Sequence, residues 1–188
     1  MPSPVDAEGF TVVDVETSGL SPRWHRILQV AIVRCYGDGT IVDRWSTLVN
    51  PGVLRGVGPT RLHGLTRSMV RSAPRFREVA AEIARRLDGV VVGHNVSFDW
   101  AFLAREFRRA GQRPRIPSLL DTLALSRAAD PERAQRHRLV DVAERAGLAF
   151  THPHDALADA EVTAAALPFL FAGAGVVSAT DLAAFAQR

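Results

Sequence analysis

The stretch FTVVDVETSGL, from Phe10 to Leu20, constrains the fold of this chain more than any other. An apolar run leads into two carboxylates, Asp14 and Glu16, which are separated by one residue. The density of Val, Phe and Thr predicts a buried strand, on which residues i and i+2 point to the same face. Two like charges on such a strand repel each other and lose hydration. We therefore expect a cation on them, and hard divalent cations prefer oxygen ligands. For this stretch alone, a strand that runs into a solvated loop is the alternative.

Length and composition predict a single domain with a full core. The chain has 188 residues, of which 47% are hydrophobic, and no apolar run approaches the ~20 residues that span a bilayer. The N-terminus lacks the basic-then-apolar pattern of a secretory signal. Cys35 is the only cysteine, so no intrachain disulfide is expected. These features together predict a cytoplasmic protein with no membrane segment.

The basic residues are uniform in type. All 23 of them are arginine, and the formal net charge is +3. Arginine favours bidentate contacts to phosphate, whereas a GC-rich genome would produce the same bias for reasons unrelated to binding. The bias is therefore consistent with a nucleic-acid partner without establishing one.

The order of the predicted elements indicates an α/β domain with a mixed sheet. After the first strand, a long strand over Ile27–Tyr36 and a returning strand over residues 40–49 are joined by an Asp-Gly turn. Two short strands follow, over Val90–Val92 and Ser118–Asp121, and each leads into helical sequence.

Two helices carry the remaining predicted detail. Ser97 is predicted to cap a helix that runs from Phe98 to Ala110, where Gly111 ends it. The last core helix is predicted to run without a break from Asp155 to Phe171.

Acidic residues also occur in two later stretches where a site is expected. Asp99 lies in the first turn of a helix after a buried strand, which is where open α/β sheets bind ligands; helix capping is the alternative. In HDALADAEVTAAAL, Asp155 and Asp159 share a helix face, and His154 precedes Asp159 by five residues. Taken alone, this stretch fits a capped, alanine-rich surface helix equally well.

Together the three stretches resemble the DEDDh exonucleases, a family that includes the proofreading epsilon subunit of bacterial DNA polymerase III. The family motif D-x-E-T-x-G-L stands at residues 14–20, and N-x-x-F-D-x-x-F-L stands at 95–103 with Asp99 as its acid. The motif H-x-A-x-x-D-A stands at 154–160. Shorter matches occur at residues 63–66 and 121–123.

The resemblance covers roughly residues 8–170 with the motifs in the family's order. We therefore expect an exonuclease domain over residues 1–172. Residues 173–188 are expected to form a C-terminal linker and a short helix, capped by Ser178 with Asp181.

The resemblance implies a ribonuclease H-like fold, with a five-stranded mixed sheet in the order 3-2-1-4-5 flanked by helices. It implies that Asp14, Glu16, Asp99 and Asp159 hold two Mg²⁺ or Mn²⁺ ions and that His154 is the general base. Two such ions can activate water and stabilise the leaving oxygen of a phosphodiester. A histidine with a pKa near ~6.5 can accept the proton of the attacking water at neutral pH.

Other positions carry over from the resemblance as substrate contacts. The residues implied to lie beside the terminal nucleotide are Thr17, Leu20, His63 and Phe98. Asp155 is expected to be a helix N-terminal charge, and Asp121 is expected to be structural.

The expected activity is that of a metal-dependent 3′→5′ exonuclease that releases nucleoside 5′-monophosphates from DNA, of the proofreading or repair type. A 3′→5′ exoribonuclease that acts on RNA ends or short oligoribonucleotides is the alternative, and so is an inactive module that binds nucleic acid. A DNA polymerase is a candidate partner. The sequence specifies neither the oligomeric state nor a preference for single or double strands.

Overall fold

The sheet is built around the strand predicted first. The computed structural model describes residues 4–52, 56–115 and 117–187. In it β1 (Gly9–Thr17) pairs antiparallel with β2 (Ile27–Tyr36) and parallel with β4 (Val90–Gly93). On the two flanks, β3 (Ile41–Leu48) pairs antiparallel with β2, and β5 (Ser118–Asp121) pairs parallel with β4. The predicted order 3-2-1-4-5 is thereby confirmed.

A short sixth strand extends the sheet beyond the five that were predicted. β6 (Ala186–Gln187) pairs antiparallel with β5, with Ala186 opposite Leu120. Its two residues are too few to produce an alternating pattern in the sequence. The helix before it, α9 (Ala179–Ala183), begins with the predicted capping box between Ser178 and Asp181.

Helices cover both faces of the sheet. One face packs against α3 (Phe76–Arg86) and α4 (Val96–Arg109). The other packs against α5 (Thr122–Ala128), α7 (Ala156–Ala165) and α8 (Leu167–Ala174). The remaining helical segments are a 3-10 turn (Pro4–Ala7), α1 (Thr60–His63), α2 (Arg67–Arg71) and α6 (Leu139–Arg145).

The alternation of side chains along β1 decides which layer each residue reaches. Val12 packs in the core shared with α7 and α8, whereas Val13 packs in the core shared with α3 and α4. Asp14 and Glu16 have the same parity as Val12, so they project towards the α7 layer. This confirms that the two carboxylates share one face of a central strand.

Two predicted helix boundaries were wrong. α4 begins at Val96, and its N-cap is Asn95 in a left-handed conformation with φ 71°, so Ser97 is not the cap. The predicted continuous last helix is broken between α7 and α8, which meet at a bend of 46°. Pro168 lies in the first turn of α8, where a missing N–H is tolerated, but its ring prevents the preceding helix from continuing.

No single helix among the described residues is long and apolar enough to cross a membrane, and the bent pair of α7 and α8 passes that test by length and composition only.

A buried ion-pair group lies on α4, and we call it the Glu106 cluster (Arg26, Glu106 and Arg109). Glu106 is 1% exposed and accepts two hydrogen bonds from Arg26, at 2.5 and 2.8 Å, and one from Arg109 at 2.9 Å. Arg109 also donates to the carbonyl oxygens of Pro22 and Arg23 at 3.0 and 2.9 Å. The cluster therefore fixes the loop that follows β1 to the side of α4.

Candidate active site

The acidic residues of β1 lie where this strand extends past its parallel neighbour. The register between β1 and β4 ends with Val12 opposite Val92, so the next backbone groups of β1 need another partner on that side. Asp99, in the first turn of α4, supplies one, because its Oδ1 accepts a hydrogen bond from the N–H of Val15 at 3.0 Å. Asp99 is thereby held against the segment that carries Asp14 and Glu16.

The fourth carboxylate and the histidine come from the start of α7. Asp155 caps this helix, accepting hydrogen bonds from the N–H groups of Leu157 and Ala158 at 3.1 Å each, which confirms its predicted place as a helix N-terminal charge. One turn later, Asp159 Oδ1 accepts a hydrogen bond from the backbone N–H of His154 at 3.0 Å. Because this hydrogen bond ties His154 to Asp159, the loop before α7 and its first turn form one unit.

His154 has an unusual backbone conformation. Its φ of 68° lies in the left-handed region, which is uncommon for residues other than glycine and is found disproportionately at functional sites. Its ring is exposed. One ligand atom from each of Glu16, His154 and Asp159 lies within 4.8 Å of the other two, so the structure brings together residues from the first and third motifs.

Four carboxylates lie close together at this site, and we call them the acidic cluster (Asp14, Glu16, Asp99 and Asp159). Their pKa values are raised by burial and by the charges of nearby carboxylates. Burial, followed by the charges of Asp99 and Asp159, raises the pKa of Asp14 well above its usual value. Burial also raises the pKa of Glu16 and of Asp99 to about 8 each, and that of Asp159 to about 7. For Glu16, the charge of Asp159 adds to the effect of burial.

The donor set fits divalent cations. Within the described ranges, no ion pair involves any member of the acidic cluster. The four residues offer carboxylate oxygens, the ligands that Mg²⁺ and Mn²⁺ prefer. The ionised form of buried, neighbouring carboxylates is stabilised when a bound cation offsets their negative charge.

A cavity opens onto the acidic cluster. It has a volume of about 550 Å³, within the ~300–1,000 Å³ that is typical of ligand sites. Asp14, Asp159 and His154 line it, whereas Glu16 and Asp99 lie outside its lining. The cavity therefore gives a substrate access to part of the acidic cluster and to the exposed histidine.

The four predicted substrate contacts differ in their exposure and their hydrogen bonds. Leu20 is 83% exposed on the loop after β1, and Phe98 is half-buried with its ring 5.0 Å from that of Phe102. Thr17 is buried, and its hydroxyl donates to the Gly19 carbonyl oxygen at 2.8 Å. None of these lines the cavity, so their contact with a nucleotide stays a prediction.

The fourth predicted contact, His63, is buried and has both ring nitrogens engaged. Its Nδ1 accepts from the N–H of Leu65 at 3.0 Å, and its Nε2 lies 3.0 Å from the Val57 carbonyl oxygen. The ring is therefore a neutral tautomer that donates through Nε2. A contact between His63 and substrate would use a carbon edge of the ring.

Sequence reasoning assigned no role to several residues that line the cavity. His94 and Asn95 follow β4. Their position after a predicted strand could have indicated that they border the site, because ligands bind at that end of a strand in open α/β sheets. Asp121 Oδ1 accepts hydrogen bonds from the N–H groups of Asn95 and Leu123 at 2.8 and 2.9 Å, which agrees with its expected structural role. The other lining residues from this side are Leu123, Arg127, His137, Arg138 and Leu139.

Comparison with known protein families gives a match over most of the chain. The family described as "Exonuclease" (RNase_T) matches residues 11–167. The 3′-5′ exonuclease DinG of Bacillus subtilis (strain 168) is 35% identical over 161 residues, which is 85% of this chain and 17% of DinG. A PolC-type DNA polymerase III of Staphylococcus aureus (strain bovine RF122 / ET3-1) is 34% identical over 156 residues, or 82% of this chain and 11% of the polymerase. The chain thus spans a small part of the length of these relatives.

Solved structures share the fold. Exonuclease X in complex with 5′ overhanging duplex DNA aligns with a TM-score of 0.72 and 26% identity, covering 94% of this chain and 98% of that one. Escherichia coli exonuclease I in complex with a dT13 oligonucleotide aligns with a TM-score of 0.76 and 21% identity, covering 87% of this chain and 41% of that one. The second likeness is one of fold alone.

Proposed function

The chain belongs to the exonuclease family that matches residues 11–167, and from this membership we propose that it is a metal-dependent 3′→5′ exonuclease acting on DNA. It would hydrolyse the phosphodiester bond at a 3′ end and release a nucleoside 5′-monophosphate. The observation that carries this proposal is the acidic cluster, whose four carboxylates have raised pKa values and two of whose members, Glu16 and Asp159, have ligand atoms within 4.8 Å of the exposed His154.

The acidic cluster would hold two Mg²⁺ or Mn²⁺ ions, with Asp14, Glu16, Asp99 and Asp159 as the ligands. When bound, a pair of divalent cations activates water and stabilises the charge on the leaving 3′ oxygen. The contribution of the chain is to keep the ligands in place before metal and substrate arrive. The hydrogen bond from Val15 to Asp99 and the one from His154 to Asp159 both serve this purpose.

His154 is the proposed general base. Its ring is exposed at the cavity, and its backbone is held in the left-handed conformation by the hydrogen bond to Asp159. A base in this position takes the proton of the attacking water during attack on phosphorus, which is worth a factor of about 10²–10⁴ in rate.

DNA is the proposed substrate, with RNA as the alternative that the test must address. The choice is supported by the relative named as a 3′-5′ exonuclease and by the exonuclease X structure with duplex DNA. Because a relative named as a PolC-type DNA polymerase III contains a segment that is 34% identical to this chain, a DNA polymerase is the protein partner to test first. The cytoplasmic location stays a prediction.

The deciding experiment incubates the protein with 5′-labelled single-stranded DNA and with the matching RNA, in Mg²⁺, in Mn²⁺ and in chelator. We expect a ladder that shortens from the 3′ end of the DNA and disappears with chelator. The Asp14→Ala variant is the control for a contaminating nuclease. Faster shortening of RNA would change the substrate class, and metal-independent cleavage would contradict the proposed mechanism.

A further inference from the structure

Arg127 is a cation at the cavity whose charge is offset by no ion pair among the described residues. It lies in the last turn of α5, is exposed, and lines the cavity together with Asp14, Asp159 and His154. The other arginine of the lining, Arg138, donates two hydrogen bonds to Asp141 at 2.7 and 2.9 Å. Within the described parts of the chain, Arg127 forms no ion pair, so its charge is available to a ligand in the cavity.

The first turn of α5 is attached to the end of β4 beside the site. The Thr122 hydroxyl lies 3.0 Å from Nδ1 of His94 and 3.3 Å from the carbonyl oxygen of Gly93. Thr122 is fully buried, so these contacts are shielded from water. They fix the start of α5 relative to the loop that borders the acidic cluster.

The last turn of α5 is fixed just as closely, through the residue before Arg127. Ser126 is 2% exposed, and its hydroxyl contacts Nδ1 of His137 at 2.9 Å and Nη2 of Arg145 at 3.1 Å. The carbonyl oxygen of His137 in turn lies 2.8 Å from Nε2 of His94. The backbone that carries Arg127 is therefore held at both ends of a short helix, while its guanidinium stays exposed.

We propose that the guanidinium of Arg127 binds a backbone phosphate of the nucleic-acid strand whose 3′ end occupies the cavity. This inference rests on the proposed function, which places a polyanion there. The acidic cluster requires cations of its own, so it offers no attraction to a phosphate next to the scissile one. An arginine on a fixed backbone supplies that attraction, because guanidinium matches phosphate in shape and charge.

Binding measurements test this contact without turnover. A 5′-fluorescein single-stranded DNA oligonucleotide with phosphorothioate linkages at its 3′ end is titrated in Ca²⁺ at several salt concentrations, for the wild type and for Arg127→Gln, Arg127→Lys and Arg115→Gln. Arg115 is a matched control, because it is an exposed arginine beside Ser118, at the end of β5 opposite to α5. Thermal unfolding of each variant verifies that the fold is retained.

We expect Arg127→Gln to weaken binding about 10-fold or more and to reduce the salt slope of log K by about 0.7, the value for one phosphate contact on a single strand. Arg127→Lys should keep the slope and recover part of the affinity, whereas Arg115→Gln should match the wild type. If Arg127→Gln matches Arg115→Gln in affinity and slope, the contact does not exist, and the exonuclease proposal stands. If the wild type neither binds nor shortens DNA or RNA, both proposals fail.

Discussion

Helix α4 carries two buried carboxylates whose surroundings have opposite charge. Glu106 and Asp99 lie seven residues apart, which places them two turns apart on one side of the helix. Glu106 is 1% exposed and bound by Arg26 and Arg109. Asp99 is 4% exposed, and its pKa is raised to about 8, chiefly by burial and also by the charges of Asp121 and Asp159. The fold supplies cationic partners for Glu106, whereas Asp99 forms no ion pair among the described residues and is a proposed ligand of a metal ion.

The largest effect is expected from removing one acidic ligand. Asp14→Ala should reduce exonuclease activity to background, because a proposed metal ligand is lost. In metal-free buffer it should unfold at the same or a higher temperature, since a buried charge that repels its neighbours is removed. Nuclease assays in Mg²⁺ and thermal unfolding in chelator measure the two effects. Retained activity would show that Asp14 is not a ligand.

The next effect in size concerns His154. His154→Ala should lower the rate by about 10²–10⁴, the usual contribution of a general base, while divalent cation binding persists. His152→Ala is the matched control, because His152 is an exposed histidine two residues earlier whose Nδ1 contacts the hydroxyl of Thr151 at 2.8 Å. Single-turnover rates and Mn²⁺ titration measure the change. Loss of Mn²⁺ binding would identify His154 as a ligand.

Disrupting the Glu106 cluster should lower the stability of the protein. Glu106→Ala leaves Arg26 and Arg109 without their partner and should lower the free energy of unfolding by about 3 kcal/mol, the lower end of the range for a broken buried pair, because both arginines are partly exposed. Denaturant unfolding measures this. Glu82→Ala is the control, because it removes a surface pair with Arg85 and Arg86 and should leave the midpoint nearly unchanged. Equal effects of the two variants would contradict the comparison.

The smallest effect is a dependence of stability on pH in the metal-free protein. The pKa of Glu16 and of Asp99 is raised to about 8 and that of Asp159 to about 7, against about 4 in the unfolded chain. The folded state therefore binds more protons, so this stability is present below about pH 4 and is lost as the pH rises towards 8.

Chemical denaturation in chelator from pH 4 to pH 8, repeated with saturating Mg²⁺, measures that dependence. We expect the slope in chelator to flatten with Mg²⁺, because the bound cation favours the ionised carboxylates. Identical curves with and without Mg²⁺ would show that the acidic cluster does not bind Mg²⁺.

The central part of this fold could be predicted because its signals are local. The alternation along β1 places Val12 and Val13 in different layers and, by the same rule, puts Asp14 and Glu16 on one face. The resemblance to the DEDDh exonucleases, which the three motifs carry, then implied the sheet order and which carboxylates meet. Hydrophobic periodicity and the residues within each motif are both readable from short stretches of sequence.

What could not be predicted depends on contacts between distant residues or on backbone geometry. The apolar pattern continues through Pro168, so periodicity alone concealed the break between α7 and α8. Asn95 caps α4 from a left-handed conformation, which no side-chain pattern requires. Arg127 reaches the cavity because His94 and His137 join segments 43 residues apart. A polar link of that kind has no local signature.

The short β6 has a consequence for how molecules of this protein meet one another. An open strand edge offers free N–H and C=O groups to a second molecule and promotes sheet-to-sheet aggregation. Here β6 occupies the edge of β5. At the opposite edge, β3 carries Asp43 and Arg44, which are paired with Arg86 and Glu161, and such charges disfavour a further strand. The sheet therefore ends in a strand of only two residues on one side and in a charged strand on the other, and both features oppose amyloid-like stacking.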